Sequence, residues 1–304
     1  MILVTGGHGM VGTALQEVAP AAYFTSTVEY DLRSPRDTDA LFNKCRPDNV
    51  IHLAARVGGI KANMEKMGEF YHDNIMMNTN VLEACRKYKV GKVVSVLSTC
   101  IYPDKASYPL SESQIHAGPP HESNFAYAYA KRMLDIQSRA YRKQYGCNYI
   151  TAVPNNLFGE ADNYDLNNSH VIPAIIHKMY DAKQAGTDVE LWGDGTPLRE
   201  FTYSKDAARA LLLLLEGYND AAPINIGNPS EVSIAYIADS VAQIIGFYGK
   251  IRWRDDMPIG QHRKPSNSSK FQQLFNMKYT NIDISLRNAC EWFIMNYPNV
   301  RGVK

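Results

Sequence analysis

The stretch 2-ILVTGGHGMVGTAL-15 constrains the fold more than any other part of the chain. It reads as a short apolar strand, a turn with glycines at 6, 9 and 12, and the start of a helix. Gly6, Gly9 and Gly12 each have a physical reason. One allows the tight turn, one lets a pyrophosphate approach the backbone, and one lets the helix pack closely on the strand. The free N–H groups at the helix start then face phosphate. A glycine turn without a ligand is the alternative reading. The motif opens a series of strand–helix repeats, and in that context it predicts a dinucleotide site.

Further strands are expected at 22-AYFT-25, 49-NVIHLA-54, 91-GKVVSVLS-98 and 148-NYITAV-153, with helices near 10–19, 36–45, 66–88 and 123–145. Strands spaced by such helices predict right-handed crossovers and an α/β fold, a doubly wound parallel sheet of the Rossmann type. The second half is less regular. It predicts a helix over 171–184 ending at Gly186, a strand over 187–192 and a helix over 204–217. A strand at 224–227, a helix from Ser233 to about Gly246 and a last helix near 284–297 follow. No linker rich in Gly, Ser or Pro divides the chain. Residues 1–160 are assigned to a dinucleotide-binding domain, to which later segments return, and 161–304 mainly to a smaller C-terminal α/β substrate lobe.

Composition removes several classes of function. Across 304 residues, 32 basic side chains against 31 acidic ones leave a net charge of +1, with no field to draw nucleic acid or an anionic membrane. The longest apolar run, 210-ALLLLL-215, is too short to span a bilayer, and no leader is read ahead of the first strand. Cys45, Cys85, Cys100, Cys147 and Cys290 contain no C-x-x-C pair. They fit reduced thiols better than a disulfide framework or a metal site. The expectation is a compact cytoplasmic protein.

The end of the second strand bears on which nucleotide is bound. A carboxylate there would accept from the ribose 2′-hydroxyl of NAD, but 25-TST-27 offers only hydroxyls, and Glu29 and Asp31 come later. Arg33, Arg36 and His8 leave room for a 2′-phosphate, so NADP(H) is the expected cofactor. The bland alternative is that Asp31 starts the next helix and the basic residues are solvated.

In 123-SNFAYAYAKRMLD-135, Tyr127 and Lys131 stand at i and i+4 on one helix face, and Tyr129 points elsewhere. An ammonium beside a phenol favours the phenolate and brings it towards acid–base use. Alone, that spacing is a weak signal. Behind a glycine turn, and with Ser98 at a strand end in 97-LSTCIYPDK-105, it becomes specific.

On Gly6-x-x-Gly9-x-x-Gly12, Ser98 and Tyr127-x-x-x-Lys131, the chain resembles the extended short-chain dehydrogenase/reductase family. The segments 57-VGGI-60, 98-STCIYP-103, 154-PNNLFG-159, 168-NSHVIP-173 and 192-WGDGTPLREF-201 are similar to those of its members that epimerise and reduce GDP-4-keto-6-deoxy-D-mannose. The likeness runs nearly end to end and weakens after about residue 230. It implies catalysis by Ser98, Cys100, Tyr127, Lys131 and His170. Cys100 would take protons beside the C4 ketone, and His170 would return them on the opposite face at C3 and C5. Inversion needs donor and acceptor on opposite sides, and a thiol has an ordinary pKa near enough to neutral to serve as the base. Ser98 and Tyr127 would hold the C4 oxygen, NADPH would reduce C4, and Lys131 would hold the nicotinamide ribose.

The same resemblance implies cofactor contacts from Gly6, Gly9, Met10, Val11 and Gly12 in the turn, and from Asp31 and Leu32 after the second strand. Others would come from Ala54 and Ala55 after the third strand and from Leu97 and Ser98 after the fourth. Tyr127, Lys131, Pro154, Asn155, Asn156, Leu157 and His170 would complete them. Lys178, Trp192, Arg199 and Lys264 are implied for the GDP-sugar, with Arg199 suited to a bidentate grip on diphosphate. Lys178 stands where an arginine often occurs, and a point charge cannot reproduce that grip. The bland reading of these residues is a solvated charge or a core aromatic. A lone cysteine is ordinarily packing, and Cys45, Cys85, Cys147 and Cys290 are read so. A homodimer through the helices near 66–88 and 123–145 is also implied, with no nucleic-acid or membrane partner. Two other functions compete: a reductase or epimerase of a related GDP-4-keto hexose or heptose, and a non-catalytic dinucleotide sensor. Keeping both Cys100 and His170 favours epimerisation, and a sensor would be expected to lack Tyr127 or Lys131.

Overall fold

The computed structural model describes residues 1–257 and 262–303. Strand β1 (Ile2–Thr5) runs through the glycine turn into α1 (Met10–Val18), and β2 (Tyr23–Thr25) follows. Helix α2 (Pro35–Cys45) starts where its signals place it: the Ser34 side chain accepts from the Asp37 N–H, and Pro35 occupies the first turn. Then come β3 (Asn49–His52), a short α3 (Ile60–Glu65), α4 (Met67–Lys87) and β4 (Lys92–Val96). Helix α5 (Phe125–Tyr145) is closed by Gly146 in the left-handed region at φ 71°, a conformation that costs glycine no Cβ clash, and leads to β5 (Tyr149–Pro154).

The remaining elements are β6 (Asn156–Phe158), α6 (Val171–Ala185), β7 (Val189–Trp192), β8 (Leu198–Tyr203) and α7 (Ser204–Gly217). They are followed by β9 (Ile224–Ile226), β10 (Glu231–Ser233), α8 (Ile234–Ile245) and β11 (Ile251–Arg254). Helices α9 (Ser269–Phe275) and α10 (Ile282–Asn296) end the fold.

One 6-stranded sheet, in the order β2-β1-β3-β4-β5-β9, is parallel throughout. This is the doubly wound Rossmann-type architecture that the repeats predict. Strand β5 is buried along its whole length, as a parallel strand covered on both faces must be. Leu82, Val81 and Leu134 from α4 and α5 pack one face, and Leu15, Leu211 and Leu214 from α1 and α7 pack the other. Each such side chain contributes ~1.5–3 kcal/mol on burial. The second lobe holds a 3-stranded sheet, β10-β8-β6, and a 2-stranded one, β11-β7. Its core gathers Ile175, Leu191, Phe201, Val241 and Phe293.

The sequence did not predict α3, β6, β8, β10, β11 or α9. All but β8 are short, and each pairs or packs with a partner from elsewhere in the chain. Helix α7 and β9 lie in the first sheet and its cover, although they follow the lobe's first strands. Among the described residues, no helix is long and apolar enough to cross a membrane.

Candidate active site

Strand order reverses between β1 and β3, the kind of switch point outside whose carboxyl ends ligands bind. The glycine turn lies there. Gly6 has φ +69°, and a Cβ on it would stand 2.8 Å from the Ala54 nitrogen. A Cβ on Gly12 would stand 2.5 Å from the Gly7 carbonyl, so any side chain there would push α1 off the turn. Gly9 is the N-cap of α1, which has no side-chain cap and no acidic residue in its first turn. Met10 and Val11 therefore begin a helix whose first N–H groups have no side-chain cap, as binding of an anionic pyrophosphate requires. Sequence reasoning passed over Gly7, whose missing Cβ would meet the Phe24 Cβ at 2.7 Å.

Beyond β2, the Asp31 carboxylate accepts from Arg33 Nε at 2.9 Å and Nη2 at 2.8 Å. Those bonds hold its pKa below the usual carboxylate range. Arg33 also reaches Asp73 at 3.3 Å, and His8 and Arg36 are exposed. The Leu32 carbonyl accepts from Asn80 at 2.9 Å.

Ser98 caps a 3₁₀ turn, Thr99–Ile101, that carries Cys100 just past β4. Leu97 remains in the sheet through its N–H to the Ala152 carbonyl at 2.8 Å. Helix α5 brings Tyr127 against this turn. Tyr127 is buried with Ala62 and Phe70, and Cys100 packs against that group. Burial pushes the Tyr127 phenol well above its ordinary pKa, the charge of a Cys100 thiolate would raise it further, and a hydrogen bond from Ser98 opposes the rise. Lys131, buried, donates to the Val96 carbonyl at 2.9 Å. Desolvation alone brings its pKa down to about 8. The shared face of Tyr127 and Lys131 is as expected, but the ammonium does not set the phenol's pKa here: its proton goes to a carbonyl, and burial dominates.

The loop 57–60 links the group around Tyr127 and Phe70 to the segment before α6. A Cβ on Gly58 would meet Phe70 Cζ at 3.1 Å, and one on Gly59 would meet the Ser169 carbonyl at 3.1 Å. The Gly59 N–H donates to the Asn168 carbonyl at 3.1 Å. His170 follows as the N-cap of α6. It is open to solvent, yet crowded by enough protein that desolvation lowers its pKa.

A polar network joins the end of the first sheet to the second lobe. At the end of β5, after Pro154, the buried Asn155 side chain donates to Glu200 at 3.2 Å and to the Asn228 carbonyl at 2.9 Å. Glu200 also accepts from Ser266 Oγ at 2.6 Å. Asn156 donates to the Glu200 carbonyl at 2.9 Å, and Leu157 is half-buried beside it. This network clamps the segment bearing Lys264 against β8, which bears Arg199. Lys264 feels the charges of Cys100 and Arg199, and burial lowers the pKa of both cations. Lys178 and Trp192 form a separate pair, with the ammonium 5.6 Å from the indole centroid and donating to the Glu190 carbonyl at 3.2 Å. Ala55 sits half-buried at the mouth of β3.

Sequence reasoning also missed His52. It is fully buried, and its ring joins Thr5 Oγ1 at 2.7 Å to Asn78 Oδ1 at 3.0 Å, while Asn78 donates to the Ala130 carbonyl at 3.1 Å. Burial and the nearby Lys131 charge push its pKa down to about 3, so it stays neutral and ties the glycine turn to α5. Its place in the apolar run 49-NVIHLA-54 was the one available signal.

A phosphate-ready helix start at a switch point, beside a buried tyrosine and lysine, defines a nucleotide-dependent enzyme of the Rossmann class. The chain belongs to the NAD dependent epimerase/dehydratase family, whose model matches residues 2–227. It is similar to the GDP-L-fucose synthase of Dictyostelium discoideum, at 41% identity over 99% of this chain and 97% of that one. A crystal structure of a GDP-L-fucose synthetase from Naegleria fowleri bound to NADP matches with a TM-score of 0.94 and 38% identity, covering 99% of this chain and 95% of that one. A GDP-mannoheptose C4 reductase from Campylobacter jejuni with NADP bound is 27% identical, with a TM-score of 0.86 over 96% of this chain and 98% of that one.

Proposed function

We propose that this chain epimerises GDP-4-keto-6-deoxy-D-mannose at C3 and C5 and then reduces C4, giving GDP-L-fucose. The observation that carries the reading is Cys100 held against Tyr127 and Ser98 in a chain 41% identical to a GDP-L-fucose synthase. Cys100 takes the proton α to the ketone as thiolate, and His170 delivers one to the opposite face. Its lowered pKa makes His170 a stronger donor but a scarcer one. Ser98 and Tyr127 donate to the C4 oxygen and stabilise the enolate. A raised pKa keeps Tyr127 protonated, ready to give its proton to the new alkoxide.

The cofactor is NADP(H), which when bound supplies the hydride for C4. Gly6, Gly9, Met10, Val11 and Gly12 would hold its pyrophosphate, with Leu32, Ala54, Ala55 and Leu97 lining the groove. Lys131 would bind its ribose, and residues 154–157 and His170 would close the nicotinamide end. Asp31 is paired with Arg33, so the charge beside the end of β2 is neutralised and a 2′-phosphate meets no free carboxylate there, which supports NADP over NAD. Lys264 and Arg199 would grip the GDP diphosphate, with Trp192 and Lys178 at the edge of the sugar-nucleotide site. The segment 161–304, apart from α7, β9 and α9, serves as the substrate lobe. The protein is a cytoplasmic enzyme and a homodimer through α4 and α5, where Tyr71 and Ile136 are exposed.

The test is product analysis in D₂O with GDP-4-keto-6-deoxymannose and NADPH. Wild type should carry deuterium at C3 and C5 and yield GDP-L-fucose, whereas Cys100→Ser should reduce the ketone without exchange. Reduction by wild type without exchange would overturn the reading in favour of a simple C4 reductase, like the heptose enzyme.

A further inference from the structure

We propose that Arg132 is a positioning residue that holds Cys100 for the epimerisation step and not for hydride transfer. This rests on the reading of Cys100 as the base. Arg132 is only 4% exposed, and its guanidinium is spent on backbone carbonyls. Nε donates to the Ile101 carbonyl at 3.1 Å, Nη2 donates to the same oxygen, and Nη1 donates to the Gly118 carbonyl at 2.9 Å. The Tyr129 ring covers it, with a centroid 5.2 Å from the guanidinium carbon.

Its neighbour Lys131 donates to the Val96 carbonyl. Two consecutive residues of α5 therefore stake the two ends of the segment 97–101, which carries Ser98 and Cys100. Burying a guanidinium is unfavourable unless its donors are well used, so a residue that merely filled space would be better apolar. The charge at this position is explained by the carbonyls it holds.

The two catalytic positions are anchored unequally. Ser98 directly follows Leu97, which is still in the ladder of the main sheet. Cys100 lies beyond the sheet, in a turn closed by Ile101 N–H to the Ser98 carbonyl at 3.1 Å and Tyr102 N–H to the Thr99 carbonyl at 3.3 Å. The Cys100 N–H reaches Ser98 Oγ only at 3.4 Å. Arg132 grips the far end of that turn and, through Gly118, the loop that pairs Pro120 with Pro103. Releasing it frees Cys100, while Ser98, Tyr127 and Lys131 keep their own anchors.

The experiment separates the two half-reactions. Deuterium exchange at C3 and C5 is measured with the substrate in D₂O, and hydride transfer is measured with the already epimerised ketone and NADPH. Misplacing a reacting group by about an ångström costs up to ~100-fold. Arg132→Met should thus lower exchange ~30-fold and leave hydride transfer and NADPH affinity within ~3-fold. Arg132→Lys, which keeps the charge and is read if the Met variant does not fold, should show the same split at ~5-fold. Wild-type exchange in Arg132→Lys, or equal loss of both half-reactions, would overturn the inference alone. Absence of exchange in wild type would remove the epimerisation reading and this inference with it.

Discussion

In the half built on the six-stranded sheet, the glycine turn and the Ser98–Cys100 turn each follow directly on a strand, and Tyr127 and Lys131 lie in the first two turns of α5. In the C-terminal lobe, the comparable side chains are drawn from distant segments: Lys178 from α6, Trp192 from β7, Arg199 from β8 and Lys264 from the stretch after residue 261. The sheet half places its groups by local rules, because a parallel strand must end in a loop at the carboxyl edge and a helix must begin there. The lobe places its groups by long-range polar contacts. Glu200 holds Asn155 and Ser266, which are 111 positions apart by their numbers (266 minus 155). His170 crosses that division, since it is the N-cap of α6, whose Ile175 and Met179 pack in the lobe's core.

The sharpest way to break this contrast is Tyr127→Phe. General acid–base catalysis contributes ~10²–10⁴-fold, so single-turnover hydride transfer should fall by roughly 10³-fold. NADPH binding, followed by fluorescence, should remain measurable. Loss of cofactor binding instead would mean that the tyrosine builds the site rather than acting in it.

A second effect concerns Lys131, whose folded pKa of about 8 lies below its ordinary 10.5. Between those values the unfolded chain holds the proton and the folded one does not, so stability rises with pH across that window. The buried charge costs about 3 kcal/mol below pH 8, at about 1.4 kcal/mol per unit, and the cost is relieved towards pH 10.5. Urea titrations of the cofactor-free protein should show wild type gaining that much on Lys131→Met as pH is raised. A constant difference between the two would show that the lysine is not desolvated.

In the lobe the expected effects are smaller. Lys264→Met should raise KM for the GDP-sugar ~10-fold with kcat little changed, as loss of uniform binding does. Lys178→Met should cost only ~3-fold, since Lys178 already spends a donor on the Glu190 carbonyl. The reverse ranking would exchange their places in the site. Least of all, Tyr129→Phe should change either half-reaction by less than ~2-fold, because phenylalanine still offers its ring face to Arg132.

The sheet, the glycine turn, the Ser98–Cys100 turn and the Tyr127–Lys131 face were legible in the sequence, because each is written within one strand–turn–helix unit. Periodicity, capping residues and glycine spacing are local signals. What only the tertiary structure decided are the features that need two remote segments: the pairing of β6, β8 and β10, the His52 bridge from Thr5 to Asn78, the Glu200 clamp and the Arg132 stake on Ile101. It also decided how the key groups titrate. Adjacency on a helix suggested that Lys131 would favour the Tyr127 phenolate. Burial instead raised the phenol and lowered the amine, because desolvation depends on everything packed around a charge and not on its neighbours along the chain.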